Sequence, residues 1–557
     1  MDRNFLLFVV LSMLIVTLYT SRQPPVEPVP AEPGPTASQP GPSETASPVV
    51  ATERIAPQTD AEREQAAGRA AEQLEPFLTH EIEGNLVRAQ FSSAGGVMVR
   101  HEMLEYESWD PPGNDPMDLL MTTGAPMQVG ATPFEGLGLG DLRHARFSVE
   151  SADSEGVTYV LERGGMTIRK VWELDPETYG FTLKISLENM SGEMKQSRFA
   201  VEWPVTQIEG NDYAQASLVT RHDGEVSRTL VQGVGSSGFF GIGGDDGLPN
   251  TAGVGGVEWF GADTKYFVGV LAPQRTASAS TRYVKRSSDG TVAANVFSYD
   301  AIMLPSGNRI TQEFDGYLGP KIDAQLGEFG ANLVSSIDRG WSWVEPLTTF
   351  FAWLLRVLYG FIPNYGFCII VITLLVRVVT LPIIQKQMKS MEKMRLLQPR
   401  MKEIQEQYGD NREKQSEAMM AMYKETGVNP LGGCLPMLLQ LPVFIGLFYA
   451  LQSSIELRHA PFILWMTDLS APETLFMIPG LEIPFRLLPI LMAGSMVLQA
   501  KFQPTGPDPA QQRMMMTMMP IMMLVLFYSF PSGLVLYYML SNFLGIAHQR
   551  WVGRNMS

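Results

Sequence analysis

Two spacings of apolar residues divide this chain. From about Leu78 to Asn332 apolar positions alternate in short runs, among them Val97 to Arg100, Phe147 to Glu150, Val157 to Glu162, Met166 to Trp172 and Phe181 to Leu187, separated by clusters of Gly, Asp, Asn and Ser. Period-two runs between turn formers predict antiparallel strands, and roughly 250 residues of them suit a large sandwich with one or two helices. After Trp341 the apolar runs lengthen and become continuous. They predict spans at about 364–384, 433–451, 487–500, 514–530 and 533–549, the third of them short for a hydrocarbon core of about 30 Å.

Other stretches follow different patterns. Phe5 to Tyr19 is an apolar run without a small-x-small cleavage site after it, so residues 1–22 are expected to be an uncleaved signal anchor. Residues 23–76 are rich in Pro, Ala, Glu, Ser and Thr and predict a disordered linker. The sandwich is assigned to 77–335. Within 336–360, Leu347, Phe350, Phe351, Leu354 and Leu358 recur at helical spacing after Pro346, which predicts an amphipathic helix lying in the outer membrane interface. Between the first two long spans, Met391, Met394, Leu397, Met401, Ile404 and Tyr408 recur at three and four, and Gly409-Asp410-Asn411 interrupts them. This predicts a helical hairpin at 385–427, with Pro399 kinking its first helix, Asp410 and Glu413 forming a capping box, and Gly427 ending the second.

Charge sharpens the division. Residues 361–557 carry 16 Lys+Arg against 12 Asp+Glu, a net of +4, which leaves 26 against 46, or −20, for residues 1–360. An acidic aqueous half precedes an apolar, mildly basic one. The segment 385–427 holds nine Lys+Arg, and the loop at 501–513 and the tail with Arg550 and Arg554 lie on the same side of the alternating spans. The positive-inside rule makes that side cytoplasmic, places both termini there, and puts residues of about 23–360 outside.

Candidate chemistry is sparse. The two cysteines, Cys368 and Cys434, lie at starts of apolar runs and read as buried thiols, and His80, His101, His144 and His222 are scattered without ligand spacing. No metal, nucleotide or other cofactor is expected, nor a nucleic-acid site. The exception is Arg377, in the middle of the apolar run Phe367 to Ile384. A cation at the centre of a spanning helix costs from about +2.5 to above +10 kcal/mol, so its side chain must face protein or a water-filled cavity. No predicted span offers a carboxylate to pair with it. Thr373 and Thr380 lie one turn either side of Arg377 on the same face. The run Met514 to Met523, with seven methionines in ten residues, reads either as a pliable core or as an adaptable binding surface.

Three segments, Met394 to Met401 (MRLLQPRM), Tyr423 to Gln440 (YKETGVNPLGGCLPMLLQ) and Phe530 to Asn542 (FPSGLVLYYMLSN), resemble the YidC family of membrane protein insertases in its Gram-negative inner-membrane form. The resemblance implies a multi-domain membrane protein. It would have an α-helical core of one anchor plus five spans, a cytoplasmic hairpin, and a periplasmic all-β supersandwich similar to sugar-epimerase folds but without catalysis. It implies insertion and chaperoning of nascent membrane proteins, alone or with the Sec translocon, through a hydrophilic groove open to the cytoplasm and to lipid. Arg377, Thr373, Thr380, Gln440, Tyr538, Ser541 and Asn542 would line that groove, with Leu439, Phe444, Met519, Met523 and Phe527 as a greasy slide. Ribosome and signal recognition receptor contacts would run through the hairpin. The tail after Ala547 departs from the long basic extension of many relatives, having ten residues. The competing readings are a transporter, which calls for an internal repeat and mid-membrane carboxylates, and an envelope scaffold with a glycan-binding β domain.

Overall fold

The computed structural model describes residues 77–556 apart from 109–114, 121–127, 135, 207–215, 232–252, 275–278, 286–291, 410, 427–434, 481–482 and 503–513. The expected anchor, the linker, Gly427 and Cys434 lie outside the described residues.

Among the described residues the alternating runs form seventeen strands in three antiparallel sheets. One is ordered β1 (Thr79–Glu83), β2 (Val87–Ser92), β3 (Val97–Glu107), β4 (Pro116–Asp118). The largest is ordered β11 (Glu225–Leu230), β10 (Ser217–His222), β13 (Val257–Asp263), β14 (Phe267–Pro273), β17 (Arg309–Pro320), β8 (Gly180–Asn189), β7 (Met166–Leu174), β6 (Gly156–Arg163), β5 (Ser148–Ala152), and the third β12 (Gly253–Gly255), β15 (Ala279–Lys285), β16 (Val292–Leu304), β9 (Lys195–Thr206). The local logic is clear in the hairpin of β6 (Gly156–Arg163) and β7 (Met166–Leu174). Arg163 pairs with Met166 across Gly164 and Gly165, whose φ values of 59° and 71° are those a two-residue type I′ turn requires. Val157, Tyr159 and Leu161 then fall on the buried face opposite Trp172, Lys170 and Ile168.

Lys170 is an exception to apolar filling. Its ammonium is fully buried, donates to the carbonyls of Gly95 (2.7 Å) and Gly130 (2.9 Å), and lies 5.3 Å from the centre of the Phe147 ring. Burial lowers its pKa to about 7, only partly opposed by Glu202. In the unfolded chain the amine ionises near its ordinary 10.5, so between pH 7 and 10.5 the unfolded state binds more protons. The expected contribution is a rise in stability as pH goes from about 7 to about 10, absent below pH 7, where both states are charged. Melting curves of the full chain and of Lys170→Met across that range should differ in slope by this one group; parallel profiles would refute the assignment.

The chain leaves the β domain through α1 (Asp323–Phe329) and a 3-10 turn, Leu333–Ser336. Buried Asp263 accepts from Lys321 (2.8 Å) and Arg228 (3.0 Å), fixing the exit. Asp323 then accepts from both Arg339 and Arg356, tying that exit to α2 (Glu345–Tyr359). Pro346 sits in the first turn of α2, as expected. The face it buries follows the expected stripe for Leu347, Phe351, Leu354 and Leu358, with Thr348 and Leu355 turned inward beside them and Phe350 exposed. Thr348 is drawn in because its hydroxyl donates to the Arg339 carbonyl at 3.0 Å.

The helical part continues with α3 (Tyr365–Leu396), α4 (Gln398–Gln407), α5 (Arg412–Thr426), α6 (Leu435–Ser453) and α7 (Leu487–Phe502). A π turn at Met514–Met518 then leads into α8 (Met519–Phe527), followed by α9 (Ser532–Met556). Among the described residues, one helix has a stretch long and apolar enough to cross a bilayer by composition alone, Tyr365–Pro382, with a mean hydropathy of 2.1 over 18 residues. The helix of Arg377 continues past the expected span to Leu396. One expectation needs correction: Pro399 lies in the first turn of α4 rather than kinking a longer helix, because proline in a first turn lacks only an N–H that has no helical partner. Asp410 is outside the described residues, and it is Asn411 that caps α5, its side-chain oxygen accepting from the Lys414 amide at 3.1 Å. Asn411→Ala should weaken α5 by about 1 kcal/mol, read as faster amide exchange in its first turn; unchanged exchange would deny the cap.

The β domain and the helices interlock. Ile455, just after α6, belongs to the β-domain core. Arg458 donates to the Glu107 carbonyl and lies 5.7 Å from the centre of the Phe267 ring, and the Lys265 ammonium donates to the Ser470 carbonyl at 3.3 Å. Burial lowers the Lys265 pKa to about 8, opposed by Asp468.

Candidate functional site

Arg377 lies on α3, about three turns inside the long helix, and its guanidinium reaches across to α9. One terminal nitrogen donates to both the carbonyl and the hydroxyl of Ser541, the latter at 2.9 Å. Among the described residues its electrostatic partners include Tyr537 and Tyr538 and no carboxylate, and its Nε, buried, has no protein partner. The neighbouring surface is polar by construction. A Cβ on Gly545 would come within 3.4 Å of the guanidinium and 3.3 Å of the Gln499 amide nitrogen, so glycine there lets both groups lie against the backbone of α9. Next to them, the Asn542 amide donates to the Ser495 hydroxyl at 3.0 Å, which itself donates to the Met492 carbonyl at 2.6 Å. From α6, the Gln440 amide donates to the Tyr537 hydroxyl at 2.8 Å.

The residues picked out from sequence fall into three groups. Arg377 and Ser541 are joined directly, and Asn542 and Gln440 stand in hydrogen bonds within the same group of helices. Thr373 and Thr380 are buried, and each hydroxyl donates within its own helix, to Ile369 (2.6 Å) and Val376 (2.8 Å), as threonines in apolar helices do. Tyr538 packs its ring 5.2 Å from Phe527 and 6.0 Å from Phe444 and is near enough to Arg377 to feel its charge, while the tyrosine bonded to Gln440 is its neighbour Tyr537.

That aromatic cluster also takes in Phe448 and Phe530. Phe527 is buried within it and Met519 and Met523 pack against the same core, while Met518, Ile521, Met522 and Val525 form the exposed stripe on and just before α8. The side chain of Leu439 is outside the described residues. Sequence reasoning missed Ser495, Gln499, Tyr537 and Gly545. The signal was present as two i, i+4 patterns: Ser495 with Gln499, and Tyr537, Ser541 and Gly545, a polar and small stripe of the kind that lets spanning helices approach closely.

A cationic group held by backbone and hydroxyl oxygens, beside amides and, among the described residues, without a carboxylate in ion-pair reach, can hydrogen-bond polar or acidic groups. Among the described residues no group of three or more His, Cys, Asp or Glu could hold a metal ion.

Two family descriptions match successive parts of the chain. Residues 79–354 match the family described as YidC periplasmic domain, and residues 357–557 match the 60Kd inner membrane protein family. The membrane protein insertase YidC of Haemophilus influenzae (strain PittEE) is 32% identical over 493 residues, covering 85% of this chain and 86% of that protein. The protein of the same name from Syntrophus aciditrophicus (strain SB) is 30% identical over 570 residues, covering 100% of both. A crystal structure of an active YidC insertase aligns with 87% of this chain and 98% of its own, at 17% identity and a TM-score of 0.34. With an N-terminal β domain, a C-terminal helical bundle, and identity of this level over most of both chains, the chain belongs to the YidC family of inner-membrane protein insertases.

Proposed function

We propose that the polar group around Arg377 is the surface on which this insertase receives the hydrophilic part of a nascent membrane protein. The observation that carries this is the guanidinium fixed by Ser541 with no carboxylate partner among the described residues, its Nε unused by protein. A cation kept in an apolar bundle without a counter-ion is stable only with water or a polar ligand around it. Gln440 and Gln499, both partly exposed, extend the hydrogen-bonding surface in front of buried Tyr537, Asn542 and Ser495, and each bond offered to a client offsets part of its dehydration cost. The exposed stripe Met518, Ile521, Met522 and Val525 would receive the client's apolar helix, thioether and aliphatic side chains accepting many shapes without selection. The helix then partitions into lipid. When charge crosses, the membrane potential supplies about 2.3 kcal/mol per unit charge per 100 mV. No nucleotide or covalent step is required, so the protein is not an enzyme.

In this reading five spans, near 364–384, 433–451, 487–500, 514–530 and 533–549, follow an N-terminal anchor at 1–22. The α4–α5 hairpin and both termini are cytoplasmic and residues of about 23–360 periplasmic. The nine Lys+Arg of 385–427 support that orientation. The exposed hairpin is the surface through which ribosome or receptor contacts would run, and the Sec translocon is a further partner of the same reading. Photocrosslinkers at Gln440, Ser541 and Met522 in proteoliposomes should capture a stalled single-span client from all three positions. Capture from Met522 alone would leave the polar group without its role, and no insertion by correctly oriented protein would sink the reading.

A further inference from the structure

Residues between α6 and α7 end in a small hairpin, β18 (Phe476–Ile478) and β19 (Ile483–Phe485), that has no obvious reason to be stable in water. Its three pairs are Phe476 with Phe485, Met477 with Pro484, and Ile478 with Ile483, so both faces are apolar. Phe476, Met477 and Ile483 are 50%, 53% and 46% exposed. A lone two-stranded sheet is marginal in water, and an exposed apolar one invites association.

Yet it is held rigidly. The rings of Phe476 and Phe485 stack at 4.9 Å, the Tyr528 hydroxyl donates to the Pro484 carbonyl, and Arg486 donates to the Tyr528 carbonyl with its guanidinium 4.8 Å from the centre of that ring. Glu473 caps α7 by accepting from the Leu488 amide at 2.6 Å. The hairpin is thereby clipped to the start of α7 and the end of α8, the two helices whose exposed residues, Ile490, Leu491 and Leu498 on one and Ile521, Met522 and Val525 on the other, are apolar.

We infer that this hairpin seats in the outer leaflet of the bilayer, at the boundary between headgroups and acyl chains, and fixes the outer end of α7 there. The inference rests on the spanning topology proposed above. Continuity carries it: the exposed apolar face of the hairpin leads within a few residues into the exposed apolar faces of α7 and α8. The depth follows from the backbone. The outer edges of a two-stranded sheet carry N–H and C=O groups unpaired within it, which hydrocarbon does not satisfy, so the strands lie at the interface and not in the core. An arginine stacked on a tyrosine is the chemistry of that same layer.

The test uses the full chain in liposomes of phosphatidylethanolamine and phosphatidylglycerol containing a phospholipid with a diazirine near the glycerol. Photolysis is followed by mass spectrometry of the peptides. The expected result is lipid adducts on residues 475–485 within about twofold of those on the outer turns of α7, with Met190 and Met194 of the β domain unlabelled. Phe476→Ser/Met477→Ser/Ile483→Ser should remove the hairpin adducts and keep those on α7. Adducts on α7 with none on 475–485 in the native chain would overturn the inference while leaving the spanning topology intact. Absence from α7 as well would overturn both.

Discussion

Arg377→Gln is expected to lower insertion of clients with acidic translocated segments by on the order of tenfold or more, while Arg377→Lys retains most of it. The asymmetry follows from the geometry, since a single guanidinium nitrogen makes both bonds to Ser541. A point cation on a shorter stem can reproduce that contact; the planar fork, which matters where two nitrogens engage two oxygens, is not used there. Glutamine can keep a hydrogen bond to Ser541 but not the charge that attracts a carboxylate in a poorly solvated bundle. A client without translocated acidic residues should be affected far less. The measurement is protease protection of two such clients in proteoliposomes, beside the amount of folded insertase recovered. Equal losses for Lys and Gln would show that guanidinium shape, not charge, is what the site requires, and equal losses for both clients would show that Arg377 holds the bundle together rather than meeting the client.

Trp172→Ala is expected to have the largest effect on stability and little on insertion. Trp172 is wholly buried, packs 5.3 Å from Phe91 and 5.8 Å from Phe181, and donates from its indole to the Gly96 carbonyl at 3.1 Å. Truncation of such a residue costs about 3–5 kcal/mol, and here it also strands a buried carbonyl. The β domain should therefore melt earlier and be cut by trypsin under conditions that leave the native domain whole. At a temperature where the variant remains folded, insertion should match the native protein, because every residue of the polar group lies on α3, α6, α7 or α9. Deletion of residues 80–320 should likewise leave most insertion, whereas a scaffold working through its β domain would lose function in both variants.

Much of the architecture was legible in the chain because its causes are local. Alternation with period two named Val157 to Glu162 and Met166 to Trp172 as strands, and Gly164-Gly165 fixed their register through its turn. Continuous apolar runs gave the helices, with boundaries that slipped where proline acts differently at a first turn than inside a helix, as at Pro399. The faces were less legible. In α2 the contact of Thr348 with the Arg339 carbonyl added a polar residue to the inward face and Phe350 was left outside, and in α8 packing against Phe444 and Tyr538 buried Phe527 while leaving Met522 outside. A helix that is apolar all round carries little periodic signal, so its orientation is set by its neighbours.

Arg377 marks the same boundary. By itself the sequence determined that a cation stands in an apolar helix and that no predicted span supplies it with a carboxylate, since both depend only on composition along the chain. Its partner was decided by tertiary structure. Ser541, 164 residues away, meets Arg377 only because α3 and α9 pack side by side, and Gly545 leaves both the guanidinium and the Gln499 amide close against the backbone of α9 in that packing. Spacing along a sequence fixes which residues share a face of one helix; which faces meet is a property of the packed bundle.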